Sequence, residues 1–107
     1  MEMTSELFNL KGKIAVVSGA ASGLGKASAM ALAAHGATVV LLDRNESGME
    51  ETRARIAAEG GVAYARVHDV SSVEAATSLF EWIDASLGRV DFLANVAGEG
   101  ILADPLE

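Results

Sequence analysis

Residues 16–28, VVSGAASGLGKAS, set Gly19, Gly23 and Gly25 between an apolar run and an alanine-rich run. Glycines clustered in this way let the main chain turn sharply through positive φ and come close to a ligand. If a helix starts directly behind them, its unpaired N–H groups and partial positive charge offer a seat to an anion. The flanking pattern tells which fold could present such a loop.

Apolar runs alternate with helical patterns along the chain. KIAVVS (13–18) has no polar face of period two and predicts a buried strand. After the glycine loop, LGKASAMALAAHG predicts a helix that stops at Gly36. ATVVLLD (37–43) predicts a second buried strand. Asn45 can cap a helix through about Glu59, with Met49 and Ile56 inward and its Glu, Arg and Thr residues outward. Gly60 and Gly61 break it, and VAYARV (62–67) predicts a third strand. SSVE (71–74) has the form of a capping box. The helix behind it runs to about Leu87, with Val73, Ala76, Phe80, Ile83 and Leu87 as its apolar stripe. RVDFLANVAG (89–98) predicts the fourth strand and its exit loop.

The order β-α-β-α-β-α-β, with strands buried on both faces and joined by single helices, implies an α/β fold with a parallel sheet and right-handed crossovers. It matches one half of a Rossmann-type doubly wound sheet plus the first strand of the other half, with strand order 3-2-1-4. The far edge of the fourth strand would be open and apolar, which favours self-association. Residues 1–107 are therefore expected to form the N-terminal part of a single domain.

Bulk properties narrow the function classes. With 107 residues the chain holds one ordinary domain at most. Half of the residues are hydrophobic and only 5% aromatic, so Ala, Val, Leu and Ile must build the core. A formal net charge of −7 without a basic cluster argues against nucleic acid and anionic membranes as partners. The absence of cysteine removes disulfides and thiolate metal sites. MEMTSELFNLKGK has no signal-peptide core, and IAVV and VVLL are too short to span a bilayer. A soluble cytoplasmic protein is the expectation.

Spacing separates the rival phosphate loops. A Walker loop needs Gly, four residues, then Gly-Lys and a hydroxyl residue. Gly25-Lys26 is present, but Ala20 and Ala27 stand at both ends of the pattern, so that loop is excluded. The common dinucleotide fingerprint is Gly-x-Gly-x-x-Gly, whereas Gly19, Gly23 and Gly25 give Gly-x-x-x-Gly-x-Gly. An adenosylmethionine-dependent methyltransferase could also show glycines after strand one and an acid after strand two. SGAASGLG (18–25) resembles the Thr-Gly-x-x-x-Gly-x-Gly hallmark of the short-chain dehydrogenase/reductase family, with Ser18 in place of Thr. Ser18, Gly19, Ser22, Gly23, Leu24 and Gly25 are thus candidates for holding the pyrophosphate of a nicotinamide dinucleotide.

A dinucleotide site also needs an acid at the end of strand two for the adenosine ribose diol, and Asp43 ends VVLLD. A carboxylate there would repel a 2′-phosphate, which favours NAD over NADP. Arg44 beside it could instead pair with that phosphate. The resemblance extends to HDV (68–70), where it implies that Asp69 and Val70 line the adenine, and His68 is given no catalytic role. It extends also to NVAG (95–98). There Asn95, Ala97 and Gly98 match the family's Asn-Asn-Ala-Gly segment along the cofactor, and Val96 departs from it.

From about Leu10 onward the resemblance implies hydride transfer between a nicotinamide and a small alcohol or ketone, in a protein that forms homo-oligomers. The family's catalytic Ser, Tyr and Lys are expected beyond Glu107, so no catalytic residue is assigned here. The single Tyr, Tyr64, lies inside predicted strand three and is read as a core or sheet residue. A nucleotide-binding fragment without catalysis of its own is the alternative.

Overall fold

The computed structural model describes residues 9–67 and 73–95. Its elements are β1 (Ile14–Ser18), α1 (Gly23–Ala34), β2 (Thr38–Asp43), α2 (Glu46–Ala58), β3 (Val62–Val67), α3 (Val73–Ser86) and β4 (Phe92–Asn95). The four strands are parallel in the order β3-β2-β1-β4, the doubly wound arrangement expected from the sequence. Ser18 pairs with Leu42 on one side and Asn95 on the other, and Asp43 pairs with Val67. The carboxyl ends of all four strands therefore share one edge of the sheet, with the glycine loop rising from its middle.

Alternation along β1 and β2 divides the core into two layers. Ala15, Val17, Val39 and Leu41 pack under α1 and α2 with Ala29, Ala33, Met49 and Ile56. Val16, Val40 and Leu42 face the other way, onto Leu79 and Ile83 of α3. Burying each such Val or Leu stabilises the fold by about 1.5–3 kcal/mol. Alanines on the inner side of α1 let that helix lie close to the sheet. Asn45 caps α2 as its position suggests, its Oδ1 accepting the Gly48 N–H at 3.0 Å.

Three expectations need correction. Burial on both faces holds for β1 and β2 only; β3 and β4 are edge strands, and Leu93 of β4 is 63% exposed. Each has a strand on one side alone, and α3 is the single described helix on its face of the sheet, so side chains at the margins stay wet. The stripe chosen for α3 is also turned. Val73 is 80% and Phe80 47% exposed, whereas Leu79 and Ile83 are buried, with Trp82 and Leu87 packed beside them. Apolar residues cover more than half of this helix, so spacing alone allowed two overlapping stripes. Finally, Thr52, assigned to the outer face of α2, is fully buried beside Met49 and Ile56.

The amino end of the β1–β4 pair is closed by polar groups. Asp91 N–H donates to the Ile14 carbonyl at 2.8 Å, and Asp91 Oδ2 accepts the Ile14 N–H, also at 2.8 Å. Arg89 Nε donates to the same carboxylate oxygen at 2.9 Å and Arg89 Nη2 to the Gly12 carbonyl at 2.7 Å. The Ile14 N–H bond first, then the Arg89 guanidinium, hold the Asp91 carboxyl below its ordinary pKa.

Candidate functional site

The loop between β1 and α1 depends on glycine for two different reasons, backbone conformation and close contact. Gly19 and Gly23 take φ of 70° and 60°, the left-handed region that other residues rarely enter. At Gly23 an added Cβ would meet no atom of the described residues within 4 Å, so among them the space beside the helix start is open. At Gly25 an added Cβ would lie 1.9 Å from the Gly19 carbonyl oxygen, so the loop folds directly onto the first turn of α1. The motif spacing thus has a steric cause: the first and third glycines touch.

Ser22 is the N-cap of α1, in extended conformation, and its side chain makes no capping hydrogen bond. The first turn carries no acidic residue either. A helix start without an internal cap, next to open space, is suited to an anion with several acceptor oxygens. Ser22, Gly23 and Leu24 are exposed at this point, and Gly25 is buried beneath them.

Among the described residues, the anchors on the loop come from the next βα unit. Ala20 N–H donates to the Leu42 carbonyl at 3.1 Å, and Ala21 N–H donates to Asp43 Oδ2 at 3.0 Å. Thr52 Oγ1 donates to the Ala20 carbonyl at 3.0 Å. Sequence reasoning passed over Thr52, although positions 49, 52 and 56 share one helical face and would have revealed it. Asp43 is half-buried, and its Oδ1 accepts the Asn45 N–H at 2.9 Å. Each carboxylate oxygen keeps lone-pair capacity for another donor. Arg44 is exposed next to it.

Ser18 is buried under the loop. Its hydroxyl donates to Asn95 Oδ1 at 2.8 Å, so it joins the ends of β1 and β4. Beside that bond lies a cleft of about 130 Å³ bordered by Val16, Leu42, Leu79, Phe80 and Leu93. The structure therefore gathers Ser18, the loop, Asp43, Arg44 and Asn95 at one edge of the sheet. Asp69, Val70, Ala97 and Gly98 lie outside the described residues, as do His68, Val96 and the two serines of the expected capping box. Tyr64 is at the sheet margin, its ring edge-on to Trp82 at 5.8 Å, while the Arg66 guanidinium covers Trp82 at 4.6 Å. Among the described residues no group of three or more His, Cys, Asp or Glu could hold a metal ion, and no helix is long and apolar enough to cross a membrane.

Comparison with known proteins agrees with this geometry. The model of the short chain dehydrogenase family matches residues 13–106. A fatty acyl-CoA reductase of Acinetobacter baylyi is 42% identical over 93 residues, which cover 87% of this chain and 32% of that protein. The crystal structure of hydroxysteroid dehydrogenase from Escherichia coli superposes with a TM-score of 0.84 at 36% identity, over 90% of this chain and 41% of that one. A metagenomic short-chain oxidoreductase in complex with NADP gives a TM-score of 0.78 at 36% identity, over 79% of this chain and 38% of that one. The chain thus spans 32–41% of the length of these three relatives.

Proposed function

This chain belongs to the short-chain dehydrogenase/reductase family, and on that premise we propose that it forms the cofactor-binding part of a nicotinamide-dependent oxidoreductase. Residues 1–107 are read as the N-terminal part of a single dinucleotide-binding domain. The observation that carries this reading is the uncapped start of α1 beside the open face of Gly23, with Asp43 at the end of the adjacent strand. The first-turn amides of α1, from Gly23 to Gly25, orient a pyrophosphate through charge-assisted hydrogen bonds. Asp43 accepts the ribose hydroxyls, each such bond contributing about 1.5–3 kcal/mol. A nicotinamide bound there supplies hydride exchange with an alcohol or carbonyl carbon of a small-molecule substrate. Ser18 and Asn95 support the floor of the site through their mutual bond, and the family resemblance assigns Asp69 and Val70 to the adenine and Ala97 and Gly98 to the cofactor.

The cofactor preferred is NAD. A 2′-phosphate would stand against the Asp43 carboxylate, already fixed in place by two amides. Arg44 supports the opposite preference, since an exposed guanidinium beside Asp43 can pair with that phosphate, and one similar structure is a complex with NADP. Calorimetric titration of this chain with NAD and NADP decides between them. The proposal expects NAD to bind at least about tenfold more tightly, a difference of about 1.4 kcal/mol, and equal or tighter binding of NADP would reverse the preference. ADP-ribose should bind about as well as NAD, because no contact to the nicotinamide is assigned to these residues. The catalytic Ser, Tyr and Lys are placed outside residues 1–107, so this chain alone should turn over no substrate.

A further inference from the structure

Thr52 lies on α2, is wholly buried, and belongs to no motif of the glycine loop. Its hydroxyl nonetheless reaches the loop, at 3.0 Å from the Ala20 carbonyl oxygen. That oxygen and the Ala21 N–H are the two polar ends of one peptide plane. The N–H end is held by Asp43 Oδ2 at 3.0 Å. One planar unit is therefore gripped at both ends, once from the tip of β2 and once from the second turn of α2. Because the peptide is rigid, gripping both ends fixes its rotation, and with it the direction in which the chain enters Ser22 and the first turn of α1.

A second observation places α2 against the same loop. At Gly48 an added Cβ would come within 2.9 Å of the Ala21 Cβ, so the helix lies against the loop at a distance only a glycine permits. Thr52 follows one turn later on the same side, and its hydroxyl can instead donate back to the Gly48 carbonyl at 3.2 Å. One hydroxyl proton serves both acceptors, and only the bond to Ala20 connects the helix to the loop.

We propose that Thr52 is a positioning residue for the pyrophosphate: together with Asp43 it clamps the Ala20–Ala21 peptide, so that the amides at the start of α1 converge on one point. This rests on the cofactor reading given above. It makes the phosphate contacts depend on a side chain that touches no part of the ligand, whereas the adenosine is linked to it only through Asp43, whose carboxylate the Asn45 N–H also holds.

The test compares ADP-ribose with adenosine, which lacks the phosphates, on the unmodified chain and on Thr52→Val and Thr52→Ser. Valine keeps the shape and removes the hydroxyl; serine keeps the hydroxyl. Thr52→Val should bind ADP-ribose about tenfold more weakly, with adenosine affinity unchanged and Thr52→Ser close to the unmodified chain. Unchanged ADP-ribose binding by Thr52→Val overturns the proposal, and so does an equal fall for both ligands, which would mark a merely structural role. If Thr52→Val gives no cooperative melt by Trp82 fluorescence, Thr52→Ser is compared with Thr52→Ala, which differ only in the hydroxyl; equal affinity for ADP-ribose then overturns it. An unmodified chain that melts cooperatively yet binds no ADP-ribose overturns the cofactor reading itself, and the role of Thr52 with it.

Discussion

β1 has a different kind of neighbour on each side. Towards β2 it is joined by an apolar core on both faces, with Val16 and Val17 paired to Val40 and Leu41, all buried. Above that pair, the loop is anchored to Leu42 and Asp43. Towards β4 the backbone pairing is reinforced by side-chain hydrogen bonds at its two ends, Ile14 N–H to Asp91 and Ser18 hydroxyl to Asn95, while Phe92 and Leu93 between them are open to water. Burial is roughly proportional to area and tolerates small shifts, whereas a hydrogen bond fixes one atom against another. The β2 side therefore carries the stability and the phosphate loop, and the β4 side carries alignment of the strand ends.

The largest effect is expected where the β2 side meets the loop. Gly25→Ala puts a methyl carbon 1.9 Å from the Gly19 carbonyl oxygen, a main-chain atom that cannot turn aside. ADP-ribose binding should vanish in calorimetry, with a lowered melting temperature. Binding kept within about threefold, well under one tenfold step of 1.4 kcal/mol, would mean that the loop is looser than its anchors imply.

Next come the two layers of the core. Leu41 is enclosed between β2 and the helices α1 and α2, so Leu41→Ala should cost about 4 kcal/mol in denaturant unfolding. Leu79→Ala on α3 should cost less, about 2–3 kcal/mol, because Leu79 already borders the cleft of about 130 Å³ and its loss adds to a wetted space. Equal costs would show that the α3 layer is as tightly closed as the other.

The two sides also differ in how far the sequence announced them. β1 and β2 were legible because continuous apolar runs bounded by Gly and Asp have few alternatives, and the glycine spacing follows from the contact between Gly19 and Gly25. Asp43 was found as a candidate for the ribose, yet its bonds to Ala21 and Asn45 were not, since they depend on the approach of separate elements. The burial of Thr52 was legible in its spacing to Met49 and Ile56, but its partner was not, because only the fold brings up the loop that accepts its proton. On α3 the error was one of rotation, because Leu79 and Phe80 are adjacent and both apolar, and only the sheet decides which of them turns inward.

A smaller effect is expected at the carboxyl end of the β1–β4 joint. Ser18→Ala removes the bond to Asn95 Oδ1 but leaves that amide, at an exposed position, free to take water. The cost should be about 1 kcal/mol, well below that of Leu41→Ala. A loss as large as the core truncation would place the stability of the sheet in its polar joints and reverse the comparison.

At the opposite end of the same joint the effect should be smallest and confined to acid. Asp91 has its pKa lowered in the folded chain, chiefly by the Ile14 N–H and then by Arg89. A lowered folded pKa means that the unfolded chain takes up the proton first as pH falls. The contribution of Asp91 is therefore complete above the unfolded value and declines as pH drops towards the folded one, that is, below about pH 4. Urea melts of the unmodified chain should lose stability over that range, and Asp91→Asn should flatten part of the slope and, near neutrality, lose the charge-assisted part of the Ile14 N–H bond together with the Arg89 pairing. Arg89 is more than half exposed, so screening by salt keeps that part small. If Asp91→Asn left the acid slope untouched, the carboxylate would be aligning the strand ends without holding them together, and this end of the joint would owe its strength to the backbone pairing of β1 with β4.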